Sequence, residues 1–186
     1  MNKRDLQKSL KKLLQRHSEW MADPDKAFLL RELYDLTEIF FPKIFKATSK
    51  TVKNVTLWLE ETEELPYKQR EKIQSFLKVF NELLAFLQMF SDGSMLNTVT
   101  DVKTLMHLFE ERIVSVVNSA VDFECAQLPL EKNQVKLLYE SLSQIIMSVV
   151  DQRNNQFIKS IFLIEEIGEK KYRISSRLRP SHNGAN

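Results

Sequence analysis

The chain has 186 residues, of which 43% are hydrophobic and 28% charged, so it can bury the core of one domain and does not have a disordered composition. It contains only three glycines, which argues against Gly-rich phosphate loops and turn-dense β-sandwiches and favours long helices. A net charge of +2 is too small to indicate a nucleic-acid-binding protein by itself.

The single cysteine, Cys125, excludes an intrachain disulfide framework and is compatible with a reducing compartment. The basic N-terminus is not followed by the continuous apolar region of a secretory signal. No apolar stretch approaches the roughly 20 residues that cross a bilayer. We therefore expect a soluble cytoplasmic protein without a transmembrane segment.

The first predicted helix covers residues 3–21 and is amphipathic, with a leucine-rich stripe opposite a basic face. This composition suits an anionic membrane surface or an acidic partner. The alternative is that the stripe packs on the rest of the protein and the basic face is solvated. The candidate contact residues of this helix are Lys3, Lys8, Lys11, Lys12 and Arg16.

A second, long helix is predicted from about residue 25 to 61, because the apolar residues keep one helical phase from Leu29 to Leu59. Asp23 is the expected N-cap and Pro24 the first helical residue. Pro42 lies inside this range on the polar side, so we interpret it as a bend in one helix of about 55 Å rather than a border between two. A helix of that length would project beyond the bundle and pack on a partner or a second copy of the chain.

Three more amphipathic helices follow. The first covers about 67–90, the second begins at Thr100 or Asp101, and the third runs from about Val135 to Val149. The Gly-containing stretch SDGS (91–94) and the segment QLPLEKN (127–133) separate them. Five amphipathic segments with short connections predict an antiparallel helical bundle over residues 1–156.

The C-terminal segment 157–179 fits either a short helix ending at Gly168 or a β-hairpin packed on the bundle. Residues 172–178 alternate with a period of two, which favours the hairpin, at about 161–178. Residues 180–186 are predicted to be a disordered tail. Basic residues of the hairpin are candidate contacts for a phosphate backbone or a protein partner, namely Lys170, Lys171, Arg173, Arg177 and Arg179.

Residue patterns that support catalysis or metal binding are weak. His107 and Glu110 are one helical turn apart, but a second ligand pair is missing, and His107 lies off the apolar stripe. Arg177 and His182 match a short ribonuclease-like spacing, but Pro180 interrupts the helix that the match requires. Cys125 cannot be placed beside an activating base.

The sequence therefore predicts a non-catalytic, mainly α-helical protein without a cofactor or metal site. Its expected role is that of a protein-interaction, scaffold or regulatory subunit that binds a protein partner or itself. Two alternatives are nucleic-acid binding through the basic hairpin and peripheral membrane attachment through the first helix.

Overall fold

A computed structural model describes residues 2–94, 101–125 and 132–178. The fold is mainly α-helical and carries a two-stranded antiparallel hairpin, as predicted. The described part contains eight helices, α1 (Lys3–Arg16), α2 (Ser18–Ala22), α3 (Pro24–Asp35), α4 (Phe40–Glu61), α5 (Tyr67–Asp92), α6 (Val102–Cys125), α7 (Lys132–Asp151) and α8 (Gln156–Ile161), and the strands β1 (Phe162–Gly168) and β2 (Lys171–Ser176). None of these helices is both long enough and apolar enough to span a membrane.

The predicted first helix, 3–21, is divided at His17 into α1 and α2. The His17 backbone leaves the helical region, with φ −115° and ψ 54°, while its N–H still donates to the Leu13 carbonyl at 3.1 Å. The imidazole stacks on Trp20, with 4.1 Å between ring centroids and 4° between the ring planes. The prediction of one continuous helix is therefore wrong, and the stacked rings stabilise the break.

The long Pro-bent helix 25–61 is also two helices, α3 and α4. Asp23 caps α3 as predicted, because its side chain accepts from the Asp25 N–H at 3.0 Å and Pro24 is the first helical residue. The chain leaves the helix at residues 36–39, upstream of Pro42. Pro42 is then the third residue of α4, where a backbone N–H has no partner within the helix, so the proline interrupts no helical hydrogen bond.

The apolar phase continues across the break because residues 36–39 make tight, helix-like turns. The Thr37 N–H donates to the Tyr34 carbonyl at 3.0 Å, and the Thr37 hydroxyl donates to the same carbonyl at 2.6 Å. The Phe41 N–H reaches back to the Leu36 carbonyl at 3.1 Å. A common phase therefore does not distinguish one bent helix from two helices joined by such a turn.

The bundle is centred on α4 and α5. α4 packs against α5 and α7, and α5 also packs against α1 and α6. Only residues 62–66 join α4 to α5, so these two long helices run antiparallel. α5 ends at Gly93, whose φ of 83° is a left-handed conformation that glycine adopts without a side-chain penalty. This ending confirms the break predicted at SDGS.

Phenylalanine rings from four helices form the centre of the core. Phe109 of α6 contacts Phe41 of α4, Phe86 and Phe90 of α5, and Phe157 of α8, with ring centroids 5.3–6.0 Å apart. The interplanar angles of 68–81° are edge-to-face arrangements, which aromatic pairs favour. Phe40 and Phe41, which precede Pro42, are each 1% exposed, so both rings belong to this core.

The C-terminal segment begins with a short helix that ends at Ile161, not at Gly168 as in the helical alternative, and continues as the predicted hairpin. Asn155 caps α8 by accepting from the N–H groups of Phe157 and Ile158, and its side-chain amide donates to the Glu32 carbonyl of α3 at 2.9 Å. α8 passes directly into β1, which pairs with β2 to form the predicted hairpin. Phe157 and Ile158 are fully buried, so α8 is part of the core. The predicted tail, 180–186, lies outside the described residues.

Candidate functional site

The basic residues of the hairpin alternate with acidic ones. Arg173 of β2 is the cross-strand partner of Glu165 of β1, and Glu166 and Glu169 also lie on the exposed hairpin. Opposite charges facing each other across strands stabilise a hairpin and reduce its positive potential. Sequence reasoning emphasised the cations and overlooked these glutamates, although all three are visible in the sequence.

Arg177 holds the hairpin to α8. Its backbone N–H donates to the Ile161 carbonyl at 2.9 Å, and its guanidinium Nε donates to the Phe162 carbonyl at 3.0 Å. Lys170 and Lys171 are exposed at the turn, where Lys170 has a φ of 56°. Arg179 lies outside the described residues. Among the described residues of the predicted set, Lys170, Lys171, Arg173 and Arg177 are therefore all exposed.

The basic face of α1 is exposed, but its leucine stripe is covered. Leu6, Leu10 and Leu13 are each 1% exposed, and α1 packs against α5. This arrangement matches the alternative in which the stripe joins the core and the cations are solvated. The predicted contact residues Lys3, Lys8, Lys11, Lys12 and Arg16 are all exposed.

Two of the α1 lysines have contacts at the α3–α4 turn. Lys3 is hydrogen-bonded to Glu38, and this hydrogen bond is the main cause of the lowered pKa of the Glu38 carboxyl. The Lys11 ammonium lies 6.0 Å from the centroid of the Tyr34 ring, at the outer limit of a cation–π contact. Both contacts are at the surface, so the buried leucine stripe makes the main attachment of α1 to the bundle.

Among the described residues, the candidate metal-binding pair is not assembled. His107 is exposed, as predicted, whereas Glu110 is fully buried, so the two side chains do not face one site. Within the described ranges, His, Cys, Asp and Glu side chains form no group of three or more that could hold a metal ion. Cys125 ends α6, and His182 lies outside the described residues.

A different surface, between α4 and α7, combines charge, exposed apolar side chains and a concave shape. The two helices run antiparallel: Lys43 near the start of α4 and Asp151 at the end of α7 line the same depression. Near the middle of both helices, the Thr51 hydroxyl lies 2.7 Å from the Ser141 hydroxyl, and both residues are fully buried. Small side chains here allow the helices to approach closely.

One half of this surface is cationic. A depression of about 410 Å³ is lined on α4 by the exposed residues Lys43, Lys46 and Lys50. The α7 side contributes Met147, which is 37% exposed, and Asp151 as the acidic residue of the lining. Within the described part of the chain, none of these lysines takes part in an ion pair. Their positive charge is therefore directed at solvent.

The other half is mainly apolar. A depression of about 210 Å³ lies between Leu57 and Trp58 of α4 and Leu137 of α7. Leu57 is 44% exposed and Leu137 is 43% exposed, although both leucines lie where α4 and α7 meet. The Asn54 amide nitrogen lines the same half, is buried, and has no hydrogen-bond partner among the described residues.

The two depressions follow one edge of the helix pair, and we call them together the α4–α7 groove. On α4, Lys43, Lys46, Lys50, Asn54, Leu57 and Glu61 recur every three or four residues, which keeps them on one face of the helix, and Val55 and Trp58 lie beside this row. From Lys43 to Glu61 the groove extends about 27 Å at 1.5 Å per residue. Its α4 lining is formed by Lys43, Lys46, Lys50, Asn54, Val55, Leu57, Trp58 and Glu61.

Sequence reasoning did not identify this groove. The spacing of Lys43, Lys46 and Lys50 shows a cationic stripe, but such stripes are usually solvated faces. The stripe forms one wall of a groove because α4 packs against α7. The contacting residues of the two helices are about 90 positions apart in sequence, as the Thr51–Ser141 contact shows.

No family model matches this sequence, and no curated protein or solved structure shows significant similarity to it.

Proposed function

We propose that this chain is a non-catalytic protein-interaction subunit that acts through the α4–α7 groove. The observation that carries the proposal is the exposure of Leu57 and Leu137, 44% and 43%, within a concave surface that continues into three exposed lysines. Grooves between helices that combine apolar walls with charged ends are a recurrent protein-binding surface. Removing these leucines from water supplies binding free energy, and the lysines supply orientation.

The two alternative roles have less support. For nucleic-acid binding, the exposed cations Lys170, Lys171 and Arg173 lie beside three glutamates of the same hairpin. For membrane attachment, the apolar stripe of α1 is buried against α5 and is not available for insertion into a bilayer. The lone cysteine supports a reducing, cytoplasmic location as part of this proposal.

In-cell photocrosslinking from the groove tests the proposal. A photoreactive amino acid is placed at Leu57 or Leu137, and the matched control carries it at Lys12 on the exposed face of α1. We expect discrete adducts with one or a few proteins from positions 57 and 137 and none of these from position 12. Adducts with nucleic acid or lipid alone, or identical adducts from all three positions, would contradict a protein-binding role for the groove.

A further inference from the structure

We infer that the occupant of the α4–α7 groove is an amphipathic α-helix of a partner protein, about 18 residues long, with acidic residues at one end and large aliphatic residues at the other. This inference rests on the proposed function and specifies the chemistry of the partner. Three features of the groove carry it: its charge, its apolar half and its shape.

The charge of the groove changes along its length. Lys43, Lys46 and Lys50 lie at one end against a single acidic lining residue, Asp151. Carboxylates of an occupant placed over these three ammonium groups would form ion pairs without displacing any ion pair described within the protein. The acidic end of the partner helix is thereby assigned to the half of the groove formed by the start of α4.

The other half of the groove accepts apolar side chains. Leu57 and Leu137 form its two walls, and Trp58, which is only 5% exposed, lines it between them. Side chains of Leu, Ile, Phe or Met spaced at i, i+3, i+4 and i+7 on one helix face would contact both walls. Burial of both leucines then favours the complex by the hydrophobic effect.

The shape of the groove favours a helix over other occupants. It is about 27 Å long and is lined by two antiparallel helices, so an 18-residue helix matches its length. A phosphate backbone would require cations along the whole surface, whereas one half is apolar and ends at Glu61. A bilayer surface would not enter a concave groove.

A second copy of the chain fits less well, because of where its matching residues lie. The end of α4 carries exposed carboxylates, Glu60 and Glu61, beside the exposed Leu57, but Leu57 and Glu61 line the groove itself. The exposed glutamates of the hairpin, Glu165, Glu166 and Glu169, belong to strands and a turn. Self-association is therefore a distinct outcome of the test below.

The test uses synthetic helices as probes and the intact chain as receptor. Fluorescein-labelled 18-residue peptides carry four glutamates in one half and leucines at i, i+3, i+4 and i+7 in the other, in both end-to-end orders. A charge-reversed peptide has lysine in place of each glutamate. Binding is measured by fluorescence anisotropy at low and high salt, and sedimentation velocity of the chain alone is recorded at the same concentrations.

Three variants of the chain separate the two halves of the groove from general charge effects. L57D/L137D removes the apolar walls at exposed positions, and K43E/K46E/K50E reverses the cationic end. K8E/K11E/K12E is the matched control, because it reverses three exposed lysines on α1, outside the groove. Circular dichroism and thermal unfolding verify that each variant retains the fold.

We expect the acidic peptide in one of its two orders to bind, with at least about a tenfold loss of affinity in L57D/L137D. K43E/K46E/K50E should reduce binding at low salt and restore binding of the charge-reversed peptide, because the ion pairs are re-formed with opposite signs. The α1 control should bind as the wild type does.

Other results would overturn the inference in distinguishable ways. Equal binding of the acidic and charge-reversed peptides to the wild type would reject the charge assignment. A dimer that L57D/L137D dissociates would replace the partner helix by a second copy. If no peptide binds while crosslinks from Leu57 persist, the helical occupant is wrong and the protein-interaction role stands. If both peptide binding and crosslinks are absent, both proposals fail.

Discussion

Asn155 has two structural roles, at the start of α8 and at the end of α3. Its side-chain oxygen accepts from the N–H groups of Phe157 and Ile158 at 3.0 and 3.2 Å, and its amide nitrogen donates to the Glu32 carbonyl. One side chain therefore begins α8 and attaches it to the end of α3. Its partner lies 123 residues away in sequence, so only the capping half of this arrangement is predictable from local residue patterns.

Substitution of Asn155 should separate these two contacts. We expect Asn155→Ala to lower the free energy of unfolding by about 1–3 kcal/mol, through loss of the cap and of the hydrogen bond to Glu32. Asn155→Asp keeps the capping acceptor but cannot donate, so it should recover only part of the loss. Urea denaturation of the three proteins measures the differences, and an unchanged midpoint in the alanine variant would refute this account.

Asp101 provides a pH-dependent cap at the start of α6. Its carboxylate accepts from the Thr104 N–H at 2.7 Å, and this hydrogen bond is the largest cause of its lowered pKa. Because the folded pKa lies below the ordinary value of 3.8, the contribution to stability is complete above that value and is lost as the pH falls through the lower, folded pKa.

The matched comparison for Asp101 is Asp101→Asn, which keeps a neutral capping acceptor. We expect the wild type to lose stability relative to Asp101→Asn as the pH falls below about 4, and the difference to be constant above about 5. Thermal unfolding midpoints of both proteins from pH 3 to 7 measure it. A constant difference over the whole range would contradict the role of the charged form.

At the scale of elements, Phe109 connects the helices around the core. It contacts aromatic rings of α4, α5 and α8 and is fully buried. We expect Phe109→Ala to reduce the free energy of unfolding by about 3–5 kcal/mol, because the neighbouring rings cannot all move into the cavity. Chemical denaturation measures the loss.

Phe28→Ala is the matched control for this prediction, because Phe28 is 48% exposed. Its loss should be within about 0.5 kcal/mol. Comparable losses for the two alanine variants would show that the aromatic cluster is not the energetic centre of the fold.

The elements differ in how well the sequence predicts them. Three local signals led to correct predictions. Asp23 with Pro24 indicated a helix start, Gly93 indicated a helix end, and the alternation after Lys171 indicated a strand. The breaks at His17 and at residues 36–39 were missed, because neither contains a glycine and the second keeps the helical phase. Pro42 was misleading, because the sequence alone does not distinguish a proline in the first turn of a helix from a proline at a bend within a helix.

At the scale of the whole molecule, α8 is part of the core although it lies at the C-terminal end of the described chain. Phe157, Ile158 and Ile161 are fully buried, and Phe162 is 1% exposed. The hairpin beyond them is mostly exposed and contributes Ile164, Ile174 and Leu178 as partly buried neighbours of the core. The structural boundary relevant to folding therefore follows Phe162.

Two truncations test this boundary. A chain that ends at Phe162 should unfold cooperatively at a lower temperature than the intact chain, because it keeps α8 and loses only the hairpin contacts. A chain that ends at Asn154 should lose cooperative unfolding, because the core rings facing Phe157 become exposed. Differential scanning calorimetry measures both, and cooperative unfolding of the shorter chain near the intact midpoint would contradict the assignment.

The candidate groove could not have been predicted from single residues or from single helices. Its lysine stripe is visible in the sequence, but its second wall comes from α7, and the exposure of Leu57 and Leu137 depends on how the two helices pack. The sequence suggested two other surfaces because α1 and the hairpin concentrate cations in short stretches. Local composition does not show which residues meet in the folded protein. It therefore could not predict the burial of the α1 leucines or the cross-strand pairing of Arg173 with Glu165.

Trp58 gives the groove an intrinsic optical signal. The chain has two tryptophans, and Trp20 is stacked on His17 in α2, whereas Trp58 lines the apolar half of the groove. In a Trp20→Phe variant all indole emission comes from Trp58, so its wavelength and intensity respond to whatever displaces water there. Occupancy of the groove can then be followed in unlabelled protein, including in mixtures where the ligand has not been identified.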